Sequence, residues 1–320
     1  MIKTRLGKVF DPTNYNLAQG CKEFAQSPQT LEFEDFTRVY FSTRALEPGG
    51  RMFRSYIAFA DMTKTFSSVM RVSKHDVLAL GDLGSFDEHG IFPMNVMRNQ
   101  GQVWGYTCGW NRRISVSVDT AIGLVVSDDE GQTFRRLGSG PILGPSLHEP
   151  FLVGDAFVLK ANEIFHMWYI FGQRWKRESD GTPPDRVYKI GHAISANGID
   201  WVKEDGVQIL PDFLGADECQ ALPSVIAFGK KYHMVFCYRD IHGFRNDPTK
   251  AYRIGYASSS DLKTWVRDDA ALSLAGQAGE WDADMQCYPH LTVSGQIPYV
   301  LYNGNSFGRH GFGAVELDLG

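Results

Sequence analysis

Carboxylates recur at one offset along this chain. Glu23, Glu88, Glu218 and Asp284 each lie five residues before a proline that opens an apolar run. In the remaining copy Pro145 holds that offset, and Glu149 directly precedes Pro150 instead. Asp87, Asp217 and Asp282 add further acids nearby. One acid ahead of a strand caps a turn or pairs with an arginine, and adds little more. Acids that share an offset and converge on one point resist simultaneous ionisation, so one member's pKa rises. A carboxyl that keeps its proton near neutral pH, beside an ionised partner, can serve as a general acid. Glu218, Glu149, Glu88 and Asp284 are therefore the candidate catalytic residues, Glu218 being the first choice for the acid.

Basic and aromatic residues recur as well. Arg44, Arg112 with Arg113, Arg174 with Arg177, Arg239, and Arg309 with His310 follow the second apolar run of each copy. They either neutralise the acids or form a ring of guanidinium groups able to grip a carboxylate, phosphate or sulfate. Trp110, Trp175 and Trp281 offer large flat apolar faces, for packing or for stacking a ligand. The candidate binding set is Gln26, Arg44, Asp87, Trp110, Arg112, Arg174, Tyr238, Arg239, Trp281, Asn303, Asn305 and Arg309.

These residues sit in a repeat of about 65 residues. Its first unit is a proline leading an apolar strand, at Pro28, Pro93, Pro150, Pro223 and Pro289, with spacings of 65, 57, 73 and 66. The second is an aromatic-rich strand: RVYFSTR, QVWGYTCGWNRR, FHMWYIFGQRW, YHMVFCYRD and YVLYNGN. The third is a short strand with a small residue at its centre: YIAFAD, AIGLVVS, KIGHAIS, RIGYASS and HGFGAVE. Three of these run into a turn and an aromatic, in SDDEGQTF, SANGIDW and SSDLKTW, and a fourth strand follows. Helical periodicity is absent.

Five modules of four antiparallel strands predict an all-β, five-bladed β-propeller. The last module is one strand short, and GKVFDP at residues 7–12 precedes the first with no other place. It is expected to supply the outer strand of the last blade, closing the ring and making residues 1–320 one domain. Small residues suit middle strands where sheets converge, and aromatics fill the wedges between blades.

Of the 320 residues 43% are hydrophobic, enough for a large core, and the net charge of −5 argues against nucleic acid or an anionic membrane as partner. The opening MIKTRLGKVFDPTNY lacks the apolar core of a signal peptide, and no stretch approaches a membrane span. Cys21, Cys108, Cys219, Cys237 and Cys287 show no metal spacing. They read as reduced thiols of a cytoplasmic protein without a metal or other cofactor.

Taken together, the proline-led strands, the SANGIDW and SSDLKTW turns and the closing YNGNSFGRHGFGAVE resemble the five-bladed propeller glycosidases of glycoside hydrolase families 43, 32, 62, 68 and 130. The resemblance covers essentially the whole chain and is greatest to unassigned relatives encoded near bacterial surface-polysaccharide genes. It implies carboxylate acid/base chemistry on a saccharide or glycoside in the axial pocket. In family 43 an Asp at the first-blade entrance is the base, a second Asp tunes pKa and a Glu in a later blade is the acid. Gln26 and Ser27 stand where that first Asp would be expected, Glu149 matches the pKa-tuning position, and Glu218 lies in the blade that supplies the acid. Glu218–Cys219 is similar to the Glu-Cys motif of family 32. Two alternatives follow: a phosphorylase of the family 130 type, which needs one acid, and a propeller that binds a saccharide or nucleotide-sugar without cleaving it. SDDEGQTF also satisfies the sialidase Asp-box pattern, which marks a structural turn.

Overall fold

A computed structural model describes residues 1–320 except Pro48. The chain opens with β1 (Ile2–Phe10), followed by β2 (Glu23–Glu32), β3 (Thr37–Leu46), β4 (Phe53–Met62) and β5 (Val69–Val72). Next come β6 (Gly90–Asn99), β7 (Gln102–Arg112), β8 (Val118–Ser127) and β9 (Arg135–Arg136). The third group is β10 (Val153–Ala161), β11 (Ile164–Lys176), β12 (Asp185–Ser195) and β13 (Val202–Lys203). The fourth is β14 (Cys219–Phe228), β15 (Lys231–Arg239), β16 (Arg253–Ser259) and β17 (Val266–Arg267). The chain ends with β18 (Cys287–Ser294), β19 (Ile297–Asn303) and β20 (Phe312–Leu317). One four-residue α-helix, Asp269–Leu272, follows β17. None of the helices is long and apolar enough to cross a membrane, among the described residues.

Three sheets are four-stranded, in the orders β10-β11-β12-β13, β14-β15-β16-β17 and β1-β20-β19-β18. An eight-stranded sheet joins β2-β3-β4-β5 to β6-β7-β8-β9 through one parallel pair, Ser55 with Gly90. A Cβ at Gly90 would come within 2.5 Å of the Ser55 carbonyl oxygen, so only glycine permits that approach. The leading strands lie side by side in a cycle: β2 by β6, β6 by β10, β10 by β14, β14 by β18, and β18 by β2. The N-terminal strand pairs antiparallel with β20 as the outer strand of the last sheet. It ends at Phe10, and Asp11 instead caps the turn Pro12–Asn14.

Aromatic rings fill the wedges between neighbouring sheets. Phe10 lies 5.0 Å from Phe41 and 5.1 Å from Phe312, joining the last sheet to the first. Tyr106 meets Trp201 edge-on at 6.0 Å, and Trp168 meets Trp265 at 5.8 Å. Small residues of the third strands make room for other rings. A Cβ at Gly123 would fall 2.5 Å from the Phe86 ring, and one at Gly255 2.4 Å from that of Phe236. Because Phe10 is buried at the closure, Phe10→Ala should cost about 3 kcal/mol of stability in a urea titration.

The three turn motifs share one construction. Ser127, Ser195 and Ser259 accept from a backbone N–H two residues on, while Asp129, Asn197 and Asp261 accept from two further amides of the turn. Those amide bonds hold the Asp261 carboxyl down at about 2. The Asp-box pattern at 127–134 is accordingly a turn device.

Candidate functional site

Each leading strand breaks its ladder at an equivalent place, and β2 slips once more, between Glu23 and Gln26. The register slips between Gln26 and Gln29, Ile91 and Met94, Gly154 and Phe157, Ala221 and Ser224, and Cys287 and His290. The extra residues are Ser27–Pro28, Phe92–Pro93, Asp155–Ala156, Leu222–Pro223 and Tyr288–Pro289. Proline suits the second place because a bulge residue needs no ladder N–H. Ser27, Asp155, Leu222 and Tyr288 all have φ between 51° and 53°, the left-handed region that side chains avoid without compensation.

This register corrects the alignment of the third repeat. Pro150 lies ahead of β10, outside any strand, and the residue equivalent to the other four prolines is Ala156. Positions 28, 93, 156, 223 and 289 are spaced by 63 to 67 residues, far more evenly than the proline series. Asp155 thereby becomes the bulge residue of β10, the leading strand of the third repeat, and it is not among the acids singled out in the sequence.

Four of the five bulge residues, Phe92, Asp155, Leu222 and Tyr288, line a cavity of about 290 Å³. Its walls add Arg44, Phe53, Trp110, Arg186, Tyr188 and Tyr252, with Cys108 and Thr120 beside Asp155. That volume lies at the lower end of ligand pockets. Asp155 is the only carboxylate among its described lining residues. Burial pushes the Asp155 carboxyl up to about 7, opposed by the charge of Arg186, the Cys108 thiol and the Leu222 backbone N–H. It is thus an acid that holds its proton close to neutral pH.

Two guanidinium groups share the cavity. Arg44 Nε is buried without a hydrogen-bond partner, and burial pushes the group's pKa down. Arg186 reaches the Ser117 hydroxyl at 3.3 Å. Among the described residues neither has a carboxylate partner in ion-pair contact, which leaves two cations in a confined, aromatic-walled space. Behind them Tyr188 and Tyr252 join hydroxyl to hydroxyl, and Arg239 lies 5.3 Å from each ring and 3.6 Å from Phe244. Arg239 is fully buried and donates to the carbonyls of Asp240 and Ile241.

Of the residues singled out in the sequence, the cavity takes Arg44 and Trp110. The candidate acids lie elsewhere. Glu218 is fully buried and accepts from Arg267 at 2.6 Å, Gln220 at 2.9 Å and the amides of Phe213 and Leu214. Glu149 is likewise buried, on Lys203 at 2.6 Å, Tyr169 at 2.8 Å and the Gly206 amide. Asp87 pairs with Arg136, and Glu88 accepts from the Gly84 amide. Asp284 is exposed at the edge of a neighbouring groove. The shared offset therefore marks positions at or just ahead of the strand starts, where Glu218 meets a buried cation, Glu23 a half-exposed one, Glu88 an amide and Asp284 solvent, rather than the cavity.

The binding set divides in the same way. Arg112 pairs with Glu47, Arg174 with Asp217, and Arg309 with Glu23. Tyr238 lies 4.5 Å beneath the Arg267 guanidinium. Trp281 packs against Tyr302 and over Gly304 and Gly313. Asn303, at the end of β19, ties β2 to the residue before β20, accepting from the Ser27 amide and donating to the carbonyls of Ala25 and Gly311. Gln26 donates to the Phe307 carbonyl, and Asn305 accepts from the amides of Asp284 and Met285. Among the described residues no group of three His, Cys, Asp or Glu is placed to hold a metal ion.

No family model matches the chain. Two curated proteins of Mycobacterium tuberculosis, the uncharacterized proteins MT1551 and Rv1502, are each 27% identical over 319 residues, covering 99% of this chain and all of the relative. Among solved structures, one described as a glycoside hydrolase superimposes with a TM-score of 0.73 at 16% identity, covering 100% of this chain and 93% of the other. A GH43_1 enzyme from Xanthomonas citri complexed with xylotriose gives 0.60 at 14% identity, covering 93% and 88%. An endo-arabinase from Bacteroides thetaiotaomicron gives 0.58 at 14%, covering 99% of each chain. The chain shares its fold with these solved glycoside hydrolases.

Proposed function

We propose that this chain is a single five-bladed propeller domain, the eight-stranded sheet being two blades, and that it processes a saccharide or glycoside in its axial cavity. Asp155 is the general acid, and Arg44 and Arg186 hold an anionic group. The observation that carries this reading is one carboxyl, poised near pH 7, in the same cavity as two guanidinium groups that lack carboxylate partners among the described residues. Five free, buried cysteines accord with a cytoplasmic setting.

The Asp155 proton passes to the glycosidic oxygen as the bond from that oxygen to the anomeric carbon breaks. Water as nucleophile requires a second carboxylate to take its proton, and the described residues of the cavity lining offer none. Monohydrogen phosphate brings its own nucleophilic oxygen. One of its oxygens bonds the anomeric carbon, its proton returns to the Asp155 carboxylate, and the products are a glycosyl phosphate and the freed alcohol. Phosphorolysis, as in family 130, is therefore the preferred variant. The missing second carboxylate also favours one other reading, binding of a saccharide or nucleotide-sugar without turnover.

The test is sugar release from furanosides and anionic glycosides, with and without inorganic phosphate. Release that requires phosphate, and that falls as pH rises above about 7, is the expected result. Ligand binding without release from any panel member would favour the second reading. Arg44→Met should weaken binding of an anionic glycoside roughly tenfold to a hundredfold and flatten its salt dependence, as measured by calorimetry.

A further inference from the structure

A second concavity adjoins the axial cavity. Its lining includes Phe24, Phe244, Phe307, Arg245, Asn305 and Arg309, and its volume is about 430 Å³. Phe24, at the start of β2, meets the cavity residue Phe53 edge-on at 5.8 Å and lies 5.0 Å under the Arg44 guanidinium. Phe307, in the β19–β20 connection, meets the cavity residue Tyr252 at 6.3 Å and Phe244 at 6.1 Å. The groove's aromatic rings therefore abut those of the cavity at two points.

The groove's aromatics are held at a cost. Phe24 has φ 68°, Phe307 57° and the adjoining Ser306 59°. Left-handed backbone at a bulky residue costs on the order of 1–3 kcal/mol and persists only where its surroundings impose it. Those surroundings are visible. Phe24 N–H donates to the Arg309 carbonyl at 2.9 Å, Gln26 holds the Phe307 carbonyl, and Arg309 is fixed to Glu23 by two bonds of 3.0 Å. Phe24 and Phe307 are only half-buried, while Phe244 beneath them is buried. Two preset, partly open aromatic rings flanked by Arg245, Asn305 and Arg309 match a pyranose or furanose ring, with apolar C–H faces and a polar edge.

We propose that this groove is an outer saccharide subsite, and that the ligand is the end of an oligosaccharide chain rather than a lone glycoside. The terminal residue sits in the cavity by Asp155, and the next residues run out over Phe24 and Phe307. This rests on the saccharide reading of the axial cavity. The test is calorimetric binding of two ladders, arabino-oligosaccharides and oligogalacturonates, each from mono- to pentasaccharide. Wild type should bind the trisaccharide of one ladder roughly tenfold more tightly than its monosaccharide, with little gain beyond. Phe24→Asn and Phe307→Asn, which tolerate the left-handed backbone, should each abolish most of that ratio. Affinity independent of length, or a ratio unchanged in both variants, would overturn the subsite while leaving the axial cavity in place. Binding to no member of either ladder would overturn both.

Discussion

Replacing Asp155 by asparagine is expected to inactivate the protein and stabilise it in the same step. The catalytic loss follows from its place as the only carboxyl among the described residues that line the cavity. Removal of a general acid typically lowers turnover about a hundred- to ten-thousandfold, whereas a near-isosteric amide leaves the ligand its contacts. The gain in stability follows from linkage. The folded pKa, about 7, lies above the ordinary carboxylate value of 3.8. Between those values the unfolded chain binds fewer protons than the folded one, so stability falls as pH rises through this window. Above pH 7 the ionised carboxylate costs the fold on the order of 4 kcal/mol, and asparagine removes that cost. Urea titrations should therefore show Asp155→Asn more stable than wild type at pH 8, with the difference vanishing near pH 4. A variant that is inactive and equally destabilised at both pH values would mean that Asp155 only packs.

Much of the fold was legible because repetition is itself a signal. Five aromatic strands, five small-centred strands and three Ser-Asp/Asn turns fall in one order, and the structure pairs them in that order. The N-terminal strand could be placed because the last module lacked a partner for β20. The site was harder to read for a physical reason. Proline marks four of the five bulges because it dispenses with a ladder amide, and Ala156 carries no such mark. Pro150, six residues early, drew the third repeat onto Glu149 and away from Asp155. An insistence on even spacing near 65 would have found it. Arg44 and Trp110 were legible since they lie near the ends of second strands, at the cavity. Arg186 was not, because it lies on a third strand, where the pattern of small residues gave no reason to look for a cation.

The same displacement turns Glu218 into a prediction about stability. Its carboxylate collects four donors: the Arg267 guanidinium, the Gln220 amide and the backbone N–H groups of Phe213 and Leu214. A glutamine there presents an NH2 to one pair of those donors, whichever way it turns. Arg267 retains Asp269 at 2.8 Å, which limits but does not cancel the loss. Removing one partner of a buried pair costs about 3–5 kcal/mol, so Glu218→Gln should lose about 3 kcal/mol by urea titration. Its turnover, measured well below the unfolding transition, should stay within about twofold of wild type, since the residue is absent from the cavity lining. The opposite pattern, sugar release abolished at unchanged stability, would move the general acid back to Glu218. It would also leave Asp155 as a strained bulge without a catalytic purpose. Comparing the two variants in one assay thus decides between a carboxylate chosen for its repeat offset and one chosen for its place on the axis.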